Sequence, residues 1–259
     1  MGNSGQDHAE DEIERLRKAL DAETGRRLEV QRRLDRAGAE FEEFVSMAAH
    51  NLRESLRDVA SYSQLMAETY AGRLDSDAGV FLDRIRQGAA RAQSLLAEVV
   101  DYWAARGGDQ PSSPAEMEAV LGQALLSTEK QIAEQSATVT HDSLPRVCGD
   151  FEILTKVLRH LIGNAIEYRG PASPRVHISC RREDLEWVFG VRDNGPGIDR
   201  AFQGRIFGAF KRLHGKEHPG NGLGLAYCKK AIEWHRGRMW MESIPGEGST
   251  FYFTLPPAD

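Results

Sequence analysis

Cysteines are few in this chain and form no pattern. Cys148, Cys180 and Cys228 are odd in number, widely spaced and without CxxC pairing. Neither a disulfide framework nor a zinc site of paired cysteines is encoded; reduced thiols in a packing role are expected. A basic surplus is also missing: 33 Lys and Arg stand against 39 Asp and Glu, for a net charge of −6. Nucleic-acid binding needs such a surplus to displace counterions, so that class is excluded. No apolar run approaches the roughly 18 residues that a membrane span requires. The amino terminus, MGNSGQDHAEDEIE, is too polar for a secretory signal. Gly2 and Ser4 suggest myristoylation only superficially, because the sixth position is Gln6 and not a hydroxyl. A cytoplasmic protein without a membrane span is expected. Apolar residues at 41% and charged residues at 28% are ordinary for a soluble chain, and 259 residues suffice for two modest domains.

After a tail over residues 1–8, expected to be disordered, residues 9–40 read as a charged helix. Ile13, Leu16, Leu20, Leu28 and Leu34 keep an approximate stripe that Glu23 and Arg27 interrupt. The segment is either one solvated helix or, as the stripe favours, an imperfect parallel coiled coil. From Phe41 a second stripe runs through Phe44, Val45, Ala48, Leu52, Leu56, Ala60, Tyr62 and Leu65. A polar break over 72–76 precedes a third, from Val80 through Leu82, Ile85, Ala89, Leu96 and Val99 to Tyr102. Two helices with a short connection make an antiparallel hairpin over 41–106. Two helices alone bury too little, so a homodimer closing a four-helix bundle is expected.

GGDQPSSP, residues 107–114, is a linker by composition. Ser113 and Pro114 are the expected cap and first position of the next helix. Over 115–259 helices and strands interleave. SATVTHDSLPRVCGD reads as a two-strand hairpin, and DFEILTKVLRHLIGNAIEYR as a helix capped by Asp150. VHISCRRE and LEWVFGVRDN alternate as paired strands. GNGLGLAYCKKAIEWHRG opens a helix that Gly237 stops, and RMWMESI and STFYFTL close with strands. The fold class is multi-domain: an all-α hairpin followed by an α+β sandwich with helices on one face of the sheet.

Glycines at 195, 197, 220, 222 and 224 let backbone approach a ligand without a Cβ clash. The second group leads straight into a helix, whose first N–H groups and dipole favour phosphate. It fits neither the P-loop pattern nor the Rossmann fingerprint. By itself such a cluster is a turn as readily as a site. Asn164 lies on an apolar helix, with His160 one turn earlier and Tyr168 one turn later. It is either a satisfied core amide or a hard oxygen ligand for Mg²⁺.

Together these stretches resemble the sensor histidine kinases of two-component signalling, within the wider GHKL group that includes DNA gyrase and the large heat-shock chaperone. The resemblance covers roughly residues 41–257. LIGNAIEYR looks like the N box, VRDNGPGID the first glycine box and IFGAFKRLH the F box. The run from Gly220 to Pro256, with KRLHG, is particularly similar to phytochrome-type kinases, and AAHNLRESL looks like the H box. This implies a dimerising phosphotransfer hairpin and a Bergerat-type ATP-binding domain that autophosphorylates a histidine and hands the phosphoryl group to a response-regulator receiver domain. An upstream sensor domain or subunit would supply the signal.

Carried over by position, the resemblance makes His50 the phosphoacceptor. Asn164 would hold Mg²⁺ across the phosphates of ATP, and Asp193 would accept the adenine amino hydrogens. Gly195, Gly197 and Ile198 would line the adenine edge; Lys211, Arg212 and His214 would start a lid. Gly220, Gly222, Leu223 and Gly224 would let the lid close and the next helix meet the phosphates, and His160 and Tyr168, one turn either side of Asn164, are expected in the same nucleotide site. Ser249 or Thr250, whichever faces inward, would reach adenine through water, and Thr250 is counted among the expected site residues. Phe207 and Phe210 would anchor the lid by packing.

Three positions depart from the family. Asn51 follows the histidine where an acidic general base is usual, leaving Glu54, one turn on, as the rival base. Ser55 replaces the usual proline, so the helix should run straighter there. Glu167 stands where the N box usually carries lysine. The alternative these departures keep open is a weak pseudokinase or docking scaffold. Hydrolysis as in gyrase is disfavoured, because His160 occupies the position of its water-activating glutamate.

Overall fold

The computed structural model describes residues 4–105, 113–211 and 221–258. It divides into two compact units, Met1–Ser55 and Leu56–Asp259. A single helix, α1, spans Ser4–Thr69 and crosses that division. The tail expected over 1–8 is therefore helical from Ser4, and no backbone break separates 40 from 41. Ser55 stays in the helix, its Oγ donating to the Asn51 carbonyl at 3.1 Å, as its recovered backbone N–H allows. In the first unit Glu23 and Arg27, which interrupt the apolar stripe, bond to each other at 3.1 Å. Two further i,i+4 pairs, Glu14–Lys18 and Glu29–Arg33, support the same helix. Leu16, Leu20, Leu28 and Leu34 remain 55–65% exposed.

The second helix, α2, spans Ser76–Ala104. Gly72, at φ +78°, turns the chain between the two helices. Asp75 then caps α2 by accepting the Ala78 N–H at 2.8 Å. Along this hairpin Leu65, Val80 and Ile85 stay exposed. No helix among the described residues is long and apolar enough to cross a membrane.

The remaining chain is a two-layer sandwich. Its elements are β1 (Pro114–Glu116), α3 (Met117–Glu134), β2 (Thr138–His141), β3 (Arg146–Cys148), α4 (Phe151–Glu167), β4 (Arg175–Glu183) and β5 (Glu186–Asp193). After a short turn α5 (Arg200–Gln203) come α6 (Gly224–Trp234), β6 (Met239–Ile244) and β7 (Gly248–Leu255). The sheet runs β2-β4-β5-β7-β6, antiparallel except for the parallel β2–β4 pair. Helices α4 and α6 lie on the sheet and α3 packs against α4. The core centres on the stacked rings of Phe189 and Phe253, 5.0 Å apart and fully buried. The cysteines form no disulfide, and Cys228 is buried in this core.

Three local expectations are corrected. The segment 136–150 is no hairpin: β2 joins β4, with Thr138 opposite Arg175, and β3 joins β1. Asp142 steers the first half, its N–H donating to Ile178 and its carboxylate accepting from Cys180. Pro114 does not open a helix, because it sits in β1 opposite Cys148; α3 begins at Met117, whose N–H donates to the Pro145 carbonyl. The left-handed residue that ends α6 is Arg236, at φ +61°, and not Gly237. Arg236 and Gly237 donate to the carbonyls of Glu233 and Ile232, a Schellman pair. Gly237 is needed for a different reason: a Cβ there would lie 1.9 Å from the Thr254 carbonyl.

His235 pins the same corner. Its Nδ1–H donates to the Ala231 carbonyl at 2.7 Å, and its Nε2 accepts the Asp150 N–H at 2.9 Å. This requires a neutral ring, and burial lowers its pKa from the ordinary 6.5. Two outcomes follow. Gly237→Ala should cost about 2–3 kcal/mol in urea unfolding by forcing β7 away from α6. Because the unfolded chain binds a proton at His235 more readily than the fold, stability is full above about pH 6.5 and declines below it. The urea midpoint should fall between pH 7 and pH 5; a flat midpoint would mean that the ring is charged in the fold.

Candidate functional site

A cleft of about 230 Å³ opens between α4, the end of β5, the start of α6 and β7. Its walls follow from periodicity. Helix α4 buries Leu154, Leu158, Leu161 and Ile162 in the core, which turns His160, Asn164, Glu167 and Tyr168 to the cleft side. In β7 the side chains of Ser249 and Phe251 face the cleft.

One end is built around Asp193. Its Oδ1 accepts two backbone N–H groups, from Gly195 at 2.8 Å and Ser249 at 3.1 Å. Burial raises its pKa from the ordinary carboxylate value, and these two bonds oppose that rise. The hydroxyl of Ser243 is the hub beneath it. It accepts the Ile198 N–H at 2.7 Å, donates to the Gly248 carbonyl at 2.9 Å and lies 3.0 Å from Ser249 Oγ. With its single hydrogen committed to Gly248, it must accept from Ser249. Gly197, at φ +70°, crosses so close to β6 that a Cβ would sit 2.2 Å from the Ile244 carbonyl.

The other end is polar. The ring of His160 packs 5.3 Å from Tyr227, under Gly224, where a Cβ would approach Nδ1 to 3.1 Å. Burial pushes the His160 pKa down to about 4, so it presents a neutral imidazole. Gly222, at φ +73°, runs beside Lys211, and its carbonyl accepts the Phe210 N–H at 2.9 Å. Gly224 and Leu225 bring the first turn of α6 to the cleft. That turn offers unpaired N–H groups and the positive end of the helix dipole. Among the described residues no cluster of three or more His, Cys, Asp or Glu side chains is spaced for a metal. Asn164 supplies a neutral amide, a hard-oxygen donor, to the lining.

The cleft thus gathers His160, Asn164, Tyr168, Asp193, Gly197, Ile198, Lys211, Gly222 and Gly224. It leaves out three expected residues. Thr250 is corrected to Ser249: it pairs with Arg192 and Glu242 on the opposite side of the strand. Leu223 is 1% exposed, a core residue before α6, and Gly195 serves the Asp193 carboxylate instead of lining the cleft. Phe207 packs edge-on against Phe251 at 6.5 Å, and Phe210 is 61% exposed. Arg212, His214 and Gly220 lie outside the described residues. Sequence reasoning missed Glu98, Ala165, Pro196, Ile206, Asn221, Leu225 and Phe251 in the lining, and the Ser243 hub. Ala165, Pro196, Ile206, Asn221 and Leu225 lie inside the boxes already quoted, whereas Glu98 carried no local signal.

In the first unit His50 is exposed on α1, with its Nε2 3.6 Å from Glu54 Oε1 across one turn. Asn51 is exposed next to it.

Residues 149–259 match the family described as histidine kinase-, DNA gyrase B- and HSP90-like ATPases. Cyanobacterial phytochrome A of a Nostoc species is 44% identical over 224 residues, 86% of this chain and 29% of that protein. Phytochrome-like protein Cph1 of a Synechocystis species is 39% identical over 229 residues, 88% of this chain and 31% of that protein. The chain therefore spans under a third of these two relatives' length. A crystal structure of full-length ShkA in complex with AMPPNP superposes with a TM-score of 0.65, covering 83% of this chain and 45% of that one at 24% identity. That last likeness is one of fold.

Gly197→Ala should lower the Tm by several degrees, because its Cβ meets the Ile244 carbonyl at 2.2 Å. It should also weaken any ligand held at the Asp193 end. Thr250→Ala, on the far side of β7, should leave ligand affinity within about twofold. Thermal-shift titrations of both variants check this; a large loss in Thr250→Ala would return that residue to the site.

Proposed function

Because the chain belongs to the sensor histidine kinases and carries their ATP-binding domain, we propose that it transfers the γ-phosphoryl group of ATP to His50 and then to an aspartate of a response-regulator receiver domain. The observation that carries this reading is the polarity of the cleft. A half-buried carboxylate with two backbone donors stands at one end, and a helix amino terminus beside Lys211 at the other, with Asn164 in the lining between the walls. An adenine amino group donates to the first, and phosphates suit the second.

In the transfer, a neutral imidazole nitrogen of His50 attacks the γ-phosphorus. The N–P bond forms as the bond to the β,γ-bridging oxygen breaks, and ADP leaves. The imidazole proton needs an acceptor. Asn51 has no basic site for it, and Glu54 is the nearest carboxylate on the same helix face. In the second step the receiver carboxylate attacks phosphorus, the N–P bond breaks and the ring regains its proton. Asn164, in the cleft lining, would hold Mg²⁺ through its amide oxygen; the bound ion would offset phosphate charge. Arg212, His214 and Gly220 are proposed for the lid, with Lys211 at its edge. The domains are proposed as a coiled coil over 9–40, a dimerising hairpin over 41–106, a linker over 107–114 and the ATP-binding domain over 115–259. The uncovered apolar stripes of α1 and α2 support a homodimer.

His50→Gln should abolish acid-labile phosphate incorporation while leaving nucleotide affinity within about twofold. Asp193→Asn should weaken ATP and ADP by about tenfold or more in calorimetric titrations, because its amide repels the adenine amino group. Glu54→Gln should slow single-turnover labelling by about 10²-fold or more, from the low end of the range for a general base upward. Asn51→Asp should then add little. Full labelling of His50→Gln would sink the phosphoacceptor assignment, and a large gain in Asn51→Asp would move the base to position 51.

A further inference from the structure

One wall of the cleft comes from outside the sandwich. Glu98, on α2, lines it, and its Oε1 accepts Asn221 Nδ2 at 2.8 Å. Asn221 stands immediately before Gly222 and the first turn of α6, at the phosphate end. Two further contacts hold the end of α2. Asp101 Oδ1 accepts Lys156 Nζ of α4 at 2.6 Å. Lys230 Nζ of α6 donates to the carbonyls of Tyr102 at 2.8 Å and Trp103 at 3.1 Å, and lies 4.8 and 4.9 Å from their ring centres. A cation at a helix carboxyl terminus and over two aromatic faces is doubly placed. Ala105, the next residue after α2, is 1% exposed. One short stretch thus engages α4, α6 and the edge of the cleft.

Glu98 is half-buried, and burial raises its pKa. A carboxylate already short of solvent is a poor neighbour for a triphosphate. Glu167 adds a second carboxylate to the same lining, against the single described cation Lys211.

We propose that Glu98 is a further residue of the nucleotide site, supplied by α2, that opposes phosphate charge while α2 is docked. Docking of the α2 end and binding of a triphosphate are then antagonistic. Reciprocity follows: the factor by which docking weakens the triphosphate is the factor by which the triphosphate weakens docking. The effect grows with phosphate charge and spares adenosine. The proposal rests on the nucleotide reading above.

The test titrates the full chain, with Mg²⁺, against adenosine, ADP and the β,γ-imido analogue of ATP. Glu98→Gln keeps an oxygen that can accept from Asn221 but removes the charge. It should tighten the ATP analogue by about fivefold or more, ADP by less and adenosine by under about twofold. Asp101→Asn, which loosens the same docking away from the cleft, should shift affinities in the same order. In wild type the analogue should also speed hydrogen exchange of the backbone amides at 99–105. Equal affinities in all three proteins, with unchanged exchange, would overturn the antagonism and leave the nucleotide reading intact. Weaker analogue binding by Glu98→Gln would make Glu98 a supporting ligand and overturn it as well. Failure of wild type and variants alike to bind any of the three would remove the nucleotide reading, and this proposal with it.

Discussion

Helix α4 must satisfy two surfaces at once, and the rest of the sandwich is arranged around that constraint. One face buries Leu154, Val157, Leu158, Leu161, Ile162 and Ile166 beneath the sheet and its neighbouring helices. Each large apolar side chain contributes on the order of 1.5–3 kcal/mol by leaving water. The same burial sets the helix rotation, and rotation alone decides that His160, Asn164, Glu167 and Tyr168 border the cleft. Asp150 fixes where the helix begins, by accepting the Ile153 N–H at 2.9 Å. His235 ties that start to the end of α6. Core, cap and cleft are therefore built on the same helix, and cleft geometry depends on the packing of the core.

The electrostatics of the cleft owe more to backbone than to side chains. Burial keeps His160 neutral, and Glu98 and Glu167 bring negative charge to the lining. Lys211 is the one cationic side chain among its described residues. The remaining positive potential comes from the N–H groups and dipole at the start of α6. That balance is sensitive to any ionic neighbour, which is why the end of α2, with Glu98 on the cleft edge, matters energetically beyond its small contact area. Asp193 illustrates the opposite device. Two backbone donors on one oxygen offset part of the desolvation that raises the pKa of this half-buried carboxylate.

The helical part follows a different logic. Its charged pairs at i,i+4 give a few tenths of a kcal/mol each and are screened by salt. Its apolar stripe is uncovered, so burial of apolar surface contributes less to its stability than it does in the sandwich. His50 and Glu54 sit exposed on that helix, open to whatever approaches.

Periodicity and capping chemistry were enough to read α4 with its Asp150 cap, the β4–β5 pair, the closing strands and the glycine turns before α6. These are local properties, decided by residues within one or two turns of each other. The resemblance of the glycine groups likewise placed Asp193, Asn164 and Gly197 at one site. What no local pattern contained was partner choice. Residues 138–141 have strand character, but whether they pair with 146–148 or with 175–178 depends on an edge elsewhere in the chain, and Asp142 tips it. Gly237 looked like a helix stop, yet it is needed because Thr254, 17 residues on, passes within touching distance. Ser249 and Thr250 are equally polar; only the register of β7 against β5 decides which one faces inward. Glu98 reached the cleft from beyond a linker, with no sequence signal at all. Sequence by itself determined the elements and the chemistry they carry, because propensity and hydrophobic period are short-ranged. Tertiary structure decided which of those groups meet, because close packing and long-range pairing are properties of the whole fold.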